Sequence, residues 1–345
     1  MNIRVGSNAI HPAWRVAERK LIDRTLNGLL DDQPYLSTLH KLLDRWLQPR
    51  EEVSEFIGFL PGLVAVGCGA QDDQAVHASA AWRMLRLAAK LLDDVQDGDA
   101  GDEAPQVLGY GVALIILSRA LIANLEQTGL PPCRVELVAH NWGRACLRAL
   151  AGQHEDLGEA EIDADAWLRI AELKSGALLA WAAWLGGMVA GLDEARCEAL
   201  RAYGAALGLA LQVSDDYRDI WPDPPSMGHK PNSGRALHSN LAIAYARALP
   251  NDVLEGNRLL EHCGKLQDVY DGTSPCAGNV GIADTLNTLG AQTFMRSVGH
   301  IAYTKGISAL DEAFAPAKAP AELAGAFSRI WPALMAPDSS QVEAP

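Results

Sequence analysis

Apolar positions recur at helical spacing along almost the whole chain. Within residues 12–48, Val16, Leu21, Ile22, Leu26, Leu29 and Leu30 fall on one stripe and Leu36, Leu39, Leu42, Leu43 and Leu47 on a second, with a break at 32–34. Residues 56–70 (FIGFLPGLVAVGCGA) are apolar but interrupted by Pro61 and several glycines. Further helices are expected over 75–95, 108–125, 134–152, 165–190 and 194–221, with a polar loop at 98–105 and a break at Pro131 and Pro132. Residues 222–235 (PDPPSMGHKPNSGR) are the most loop-like stretch, placed where a lid would be useful. Closing helices are expected over 236–248, 253–266 and 282–314. No run of strand period and no short repeat is present. The pattern predicts an all-α fold: a single all-helical domain over residues 1–335, with N-terminal helices within 1–50 and a loose tail at 336–345. Residues 176–192 are apolar enough to raise a membrane span, but the stretch is short, tightly bounded by Lys174 and Asp193, and has no flanking basic cluster. A helix buried all round is the expectation, with no integral membrane segment.

Two interruptions of this apolar pattern carry chemistry. Residues 207–221 (LGLALQVSDDYRDIW) place Asp215, Asp216 and Asp219 on an otherwise apolar helix, and residues 91–97 (LLDDVQD) repeat the spacing with Asp93, Asp94 and Asp97. Positions i and i+4 share a helix face, so Asp93 lies over Asp97 and Asp215 over Asp219. Two carboxylates about 4 Å apart repel by about 4 kcal/mol at an effective dielectric near 20. A cation would offset that cost. Hard oxygen ligands without Cys or His suit Mg²⁺, which keeps several waters and shares its shell with substrate phosphates. Either cluster alone could be a solvated acidic helix end; two copies, each following a long apolar helix, point to a pair of metal-binding motifs facing one another.

Composition narrows the partners. The 345 residues are 49% apolar and carry a formal charge of −14, which argues against nucleic acid or an anionic membrane. The six cysteines (68, 133, 146, 197, 263, 276) show no paired spacing and read as buried free thiols in a reducing compartment. Residues 1–20 lack the apolar core of a signal peptide, and a cytoplasmic location is expected.

Four elements in order resemble the trans-isoprenyl diphosphate synthases of the polyprenyl synthetase superfamily: Asp93, Asp94 and Asp97; Gly152, Gln153 and Asp156; Lys174 and Ser175; and Gln212 with Asp215, Asp216 and Asp219. The resemblance covers roughly residues 55–315. It implies the class I isoprenoid fold, one large helical bundle around a central active-site cavity with its core over about 55–315, commonly as a homodimer, and about three Mg²⁺ ions held by the six aspartates against the diphosphate of an allylic isoprenyl substrate. It further implies that Asp93, Asp94, Asp97, Lys174, Gln212 and Asp215 are catalytic. Lys174 and Lys230 would add positive charge at the diphosphate, while Gln212 and Gln153 would contact substrate. By the same resemblance, Ala89 and Ala88 would floor a deep chain pocket suited to C20 or longer. Trp82, Trp181 and Trp184 are candidates for supporting a carbocation.

The departures from the family pattern matter as much. Chain-elongating members carry Gly-Lys-x-Arg before the first aspartates; here residues 57–61 hold no basic side chain. Their Arg-Arg-Gly is replaced by GDAGDEAP at 98–105, and their Lys-x-Thr-Leu-Pro by His238, Ser239, Asn240, Leu241 and Ala242. Stripping a diphosphate of its basic partners is costly. The allylic site therefore reads as intact and the isopentenyl diphosphate site as erased. Intramolecular cyclisation with diphosphate release, as in a terpene synthase, is the leading expectation. The alternative is prenyl transfer to isopentenyl diphosphate, held by residues such as Arg83, Arg86 or Arg144, or to another acceptor. A non-catalytic regulatory subunit is a minor alternative.

Overall fold

The computed structural model describes residues 12–30, 34–48, 52–158, 162–221, 239–249 and 280–332. No strand occurs among them. The described helices, numbered in chain order, are α1 (Pro12–Leu30), α2 (Pro34–Trp46), α3 (Glu52–Gly58), α4 (Leu60–Gly67), α5 (Asp72–Gln96), α6 (Ala104–Ala123), α7 (Pro132–Asp156), α8 (Ala164–Ala171), α9 (Ala177–Val189), α10 (Glu194–Ile220), α11 (Leu241–Arg247), α12 (Val280–Thr288), α13 (Ala291–Phe314), α14 (Ala321–Ala324) and α15 (Ala326–Ile330).

Helix boundaries follow local chemistry. Gln74 accepts a hydrogen bond from the Gln71 amide at 3.1 Å ahead of α5, and Asp72 and Asp73 sit in its first turn, where the helix dipole favours negative charge. Asp193 caps α10 by accepting from the Arg196 amide at 2.9 Å, and Asn240 caps α11 through the Ala242 amide at 3.0 Å. Pro61 occupies the first turn of α4 and Pro132 that of α7, where a missing N–H is tolerated. The expected closing helix over 282–314 is instead two helices, because Gly290 takes a left-handed conformation (φ 81°) that ends α12.

Helix α10 runs between α9 and α13, α5 lies along α6, and α4 packs under α9 and α5. Helix α9 is buried from Ala177 to Val189 apart from the half-buried Leu178, as expected of residues 176–192. Among the described residues the apolar segment long enough to cross a membrane, by length and composition alone, is 101–128 instead, and only 33% of its most apolar window is buried. Leu108, Val112 and Ile116 form an exposed apolar stripe on α6, and Leu147 and Leu150 are exposed on α7. Among the described cysteines Cys133 is exposed rather than buried, while Cys197 is buried and Cys68 and Cys146 are partly so; all four are free thiols. Residues 222–235, including Lys230, the expected helix at 253–266 and the tail at 336–345 lie outside the described residues.

Candidate active site

Both acidic clusters sit at helix C-termini. Asp93 and Asp94 lie in the last turn of α5 and Asp97 is its C-cap; Asp215, Asp216 and Asp219 occupy the last turns of α10. The free carbonyls there already carry partial negative charge, which disfavours a carboxylate by roughly 0.3–1 kcal/mol and favours a cation. The electrostatics reflect the surplus: burial and then neighbouring Asp93 push the Asp97 carboxyl above its ordinary value, against the pull of Lys174.

Lys174 answers the first cluster. Its Nζ lies 3.1 Å from Asp93 Oδ1 and donates to Asp156 Oδ2 at 2.9 Å. Burial works against its charge, but Asp93 and Asp156 outweigh that and hold the ammonium above its usual pKa. The next residue answers the second cluster: Ser175 Oγ donates to Gln212 Oε1 at 3.0 Å, and Gln212 Nε2 donates to Asp216 Oδ1 at 3.3 Å. One two-residue step thus joins two clusters that are more than a hundred residues apart in sequence.

That step lies in a π-helical turn, Glu172–Gly176, between α8 and α9. Such single turns are a rare interruption of helix, frequent at functional sites. The turn is clamped between two glycines. A methyl group on Gly152 of α7 would lie 2.6 Å from the Lys174 amide nitrogen, and one on Gly208 of α10 would lie 2.7 Å from Ser175 O and from Gly176 Cα. Only glycine allows both helices so close to the backbone.

A cavity of about 270 Å³ opens beside this junction. Trp82, Leu85, Arg86, Ala89 and Asp93 line it at the spacing of one α5 face, joined by Ile115, Leu150, Leu178, Leu179 and Leu211. Beside the junction its polar lining includes Asp93, Gln96, Gln153, Lys174 and Ser175. Gln153 is 6% exposed, and both its amide atoms are buried without a hydrogen-bond partner, so it has an unused donor and an unused acceptor at this end. Cys146 also lines the cavity; burial pushes its thiol up to about 12, which leaves it inert.

Arg86 and Lys90 line this cavity and also a neighbouring one of about 290 Å³ walled by Trp46, Ser54, Glu55, Arg83 and Leu87. Arg86 Nη2 donates to Ser54 Oγ at 3.3 Å, and Lys90 is paired with Asp94. Arg83 is committed elsewhere, paired with buried Glu18 and packed over the Phe59 ring at 4.6 Å. Arg144 is exposed on α7 and lines neither cavity.

Several expected positions differ. Ala88 does not line the cavity: successive helix residues point 100° apart, and only Ala89 shares the face of Trp82 and Asp93, while Ala88 is fully buried. Gln212 does not line it either, because its amide is consumed by Ser175 and Asp216; Leu211 takes that place. Trp82 lines the cavity with its N–H anchored on Ile57 O at 2.6 Å, and Trp181 backs it at 6.4 Å without reaching the cavity. Trp184 presents its ring to the Arg201 guanidinium at 4.7 Å instead of to a substrate. Asp215 is exposed and 3.4 Å from Arg218; Asp219 is half-buried. Asp216 is buried and taken up by protein donors.

The donor set fits Mg²⁺. Among the described residues no three His, Cys, Asp or Glu side chains converge to hold a metal alone. A cation that takes one or two carboxylates and completes its shell with water and substrate phosphate needs no such convergence. Sequence reasoning had not singled out Trp167 or Lys90. Lys90 could have been found from its i,i+4 spacing to Asp94; Trp167 had no signal, since its partner Asp216 is 49 residues away.

Residues 59–233 match the polyprenyl synthetase family. The geranylgeranyl diphosphate synthase of Mycobacterium tuberculosis is 37% identical over 174 residues, 48% of this chain and 49% of that protein. The chain spans about half the length of the curated relatives it matches. A polyprenyl synthetase from Streptomyces coelicolor superposes with a TM-score of 0.70 at 22% identity, covering 93% of this chain and 98% of that one. A geranylgeranyl pyrophosphate synthase from Corynebacterium glutamicum, complexed with isoprenyl diphosphate and magnesium, superposes at 0.68 with 16% identity, covering 93% and 98%. At these identities the superpositions show a shared fold.

Proposed function

This chain belongs to the polyprenyl synthetase family, and from that premise we propose that it is a Mg²⁺-dependent prenyltransferase that joins an allylic isoprenyl diphosphate to a second diphosphate, isopentenyl diphosphate. The observation that carries the reading is the junction at Lys174 and Ser175, which ties both acidic clusters to the polar end of an apolar cavity. Asp93, Asp97, Asp215 and Asp219 would hold about three Mg²⁺ ions, which when bound supply charge neutralisation of the departing diphosphate. Lys174 adds a fixed positive charge at the same end, and Gln153 offers its free N–H to a phosphate oxygen. The apolar walls hold the hydrocarbon chain and keep water from the allylic cation, and the Trp82 ring faces that cation.

The family's basic elements for the second diphosphate are missing, which had made cyclisation the leading expectation. Two observations favour transfer instead. The relative from M. tuberculosis is a geranylgeranyl diphosphate synthase. Arg86 and Lys90 stand on the wall common to both cavities, so the chain carries two cations between the allylic end and the adjoining space. In this reading they take over the role of the missing Lys and Arg. The exposed stripe Leu108, Val112 and Ile116, with Leu147 and Leu150, supports self-association of two copies through α6 and α7.

The test is a product assay with Mg²⁺ and C10, C15, C20 and C25 allylic diphosphates, each with and without isopentenyl diphosphate. A longer linear diphosphate formed only when both substrates are present is expected. A hydrocarbon or alcohol released from the allylic diphosphate alone would overturn transfer in favour of cyclisation.

A further inference from the structure

Three cations stand at helical spacing on α5, and one of them serves two spaces. Arg83, Arg86 and Lys90 all wall the cavity of about 290 Å³, at positions i, i+3 and i+7 of one helix face. Arg83 also walls a third cavity, of about 410 Å³, on the side of α1 and α2. Its guanidinium therefore belongs to the partition between the two. On the α1 side it is paired with Glu18, a carboxylate only 1% exposed. Glu18 gives Arg83 one oxygen, Oε2, while Oε1 is buried without a hydrogen-bond partner. An ionised carboxylate held in this way is costly. Burial raises its carboxyl from 4.5 to about 7 against the pull of Arg83.

Resting on the reading of Arg86 and Lys90 given above, we infer that Glu18 is a positioning residue for the second diphosphate: ionised, it holds and neutralises Arg83, and protonated, it releases Arg83 to the cavity of Arg86 and Lys90. The charged groups around Glu18 are Arg15, Arg19 and Asp23 of its own helix, Asp44 of α2, Glu55 of α3 and Arg83 of α5. Arg15 is paired with Glu55, and Arg19 with Asp23 and Asp44. Arg83 is thus the cation that answers Glu18. The Arg83 guanidinium lies over the Phe59 ring at 4.6 Å, and stacking leaves its N–H edge for hydrogen bonds. Phe59 belongs to the stretch 57–61, which holds no basic residue, so Arg83 brings positive charge to that stretch from α5. Proton and anion binding are then linked in both directions: a proton on Glu18 tightens the anion, and the anion raises the proton affinity of Glu18.

The experiment is calorimetric titration of isopentenyl diphosphate into the full chain at pH 5.5 and pH 8.5. EDTA is present, so that binding through metal ions does not contribute. Glu18→Gln keeps the size of the side chain and mimics its protonated form. At pH 8.5 this variant is expected to bind roughly 5–20-fold more tightly than the parent, the order of effect of one charge removed at about a Debye length from the anion. At pH 5.5 the two are expected to bind alike. The ratio of variant to parent cancels the ionisation of the ligand and that of His40, which lies 3.1 Å from Asp23. Adding Arg83→Gln to Glu18→Gln is expected to abolish the gain. Equal affinities of parent and Glu18→Gln at pH 8.5, or a gain that survives Arg83→Gln, would overturn the inference. Should Glu18→Gln fail to fold, as read by circular dichroism, the parent decides alone. Proton uptake on binding at pH 8, read in two buffers of unlike ionisation heat, is expected, and its absence sinks the proposal. A parent chain that binds no isopentenyl diphosphate at either pH would sink the reading of the cavity itself, and this inference with it.

Discussion

Gly208→Ala probes the contact on which the joined site depends. The added methyl meets backbone on the far side, Ser175 O and Gly176 Cα at 2.7 Å and Gly176 N at 2.8 Å, and none of these can rotate away. Ordinary contact begins at 3.4 Å, so α10 must withdraw from the turn by about 0.7 Å. Overpacking of this kind costs about 1–3 kcal/mol of stability. The same displacement lengthens the 3.0 Å bond from Ser175 to Gln212 to about 3.7 Å, beyond hydrogen-bonding range. Misplacing a site by close to 1 Å lowers kcat/KM by up to about 10²-fold. Urea denaturation and steady-state kinetics read the two effects separately. Gly143→Ala, at a half-buried α7 position with nothing within 4 Å of the new methyl, is the control and should gain about 0.5–1 kcal/mol from helix propensity. If Gly208→Ala matched that control in both stability and activity, the close approach would not be what holds the two clusters together.

Lys174→Gln removes the cation between Asp93 and Asp156 and should lower kcat by roughly 10²–10³-fold, the usual loss for one preorganised donor; a kcat close to the parent's would contradict its role. Glu18 sets a pH dependence at the α1–α5 contact. Burial, opposed by Arg83, raises its carboxyl from 4.5 to about 7. The folded chain therefore holds the proton more tightly than the unfolded one, and this contribution to stability is full below pH 4.5 and lost as pH rises through 7. Its size is about 3 kcal/mol at most. Urea midpoints measured between pH 5 and 8 should fall more steeply for the parent than for Glu18→Gln, and parallel profiles would refute the assignment.

Much of this site was legible because its chemistry is local. The i,i+4 aspartates at the ends of α5 and α10 announce themselves by spacing, and the family resemblance marks Lys174. Helices α1, α2, α5, α7 and α10 fall within a few residues of where the apolar stripes put them. What escaped reading is set by tertiary packing. The π-helical turn at 172–176 follows from the close approach of Gly152 and Gly208, residues far from it in sequence. Asp216 has the same sequence surroundings as its neighbours, and only the arrival of Trp167 and Leu241 separates it from Asp215. Trp184 could not be told from Trp82 by sequence, because its ring is claimed by Arg201 on another helix. Arg83 and Arg86 look interchangeable three residues apart on α5. Glu18 from α1 occupies the first, while the second lines both cavities.

The most direct test of the account is a single reaction of the full chain with Mg²⁺, farnesyl diphosphate and carbon-labelled isopentenyl diphosphate, with the product identified by mass. The account predicts a linear diphosphate one C5 unit longer than farnesyl diphosphate that carries the label. An unlabelled cyclic hydrocarbon or alcohol, formed equally well when isopentenyl diphosphate is left out, would contradict it.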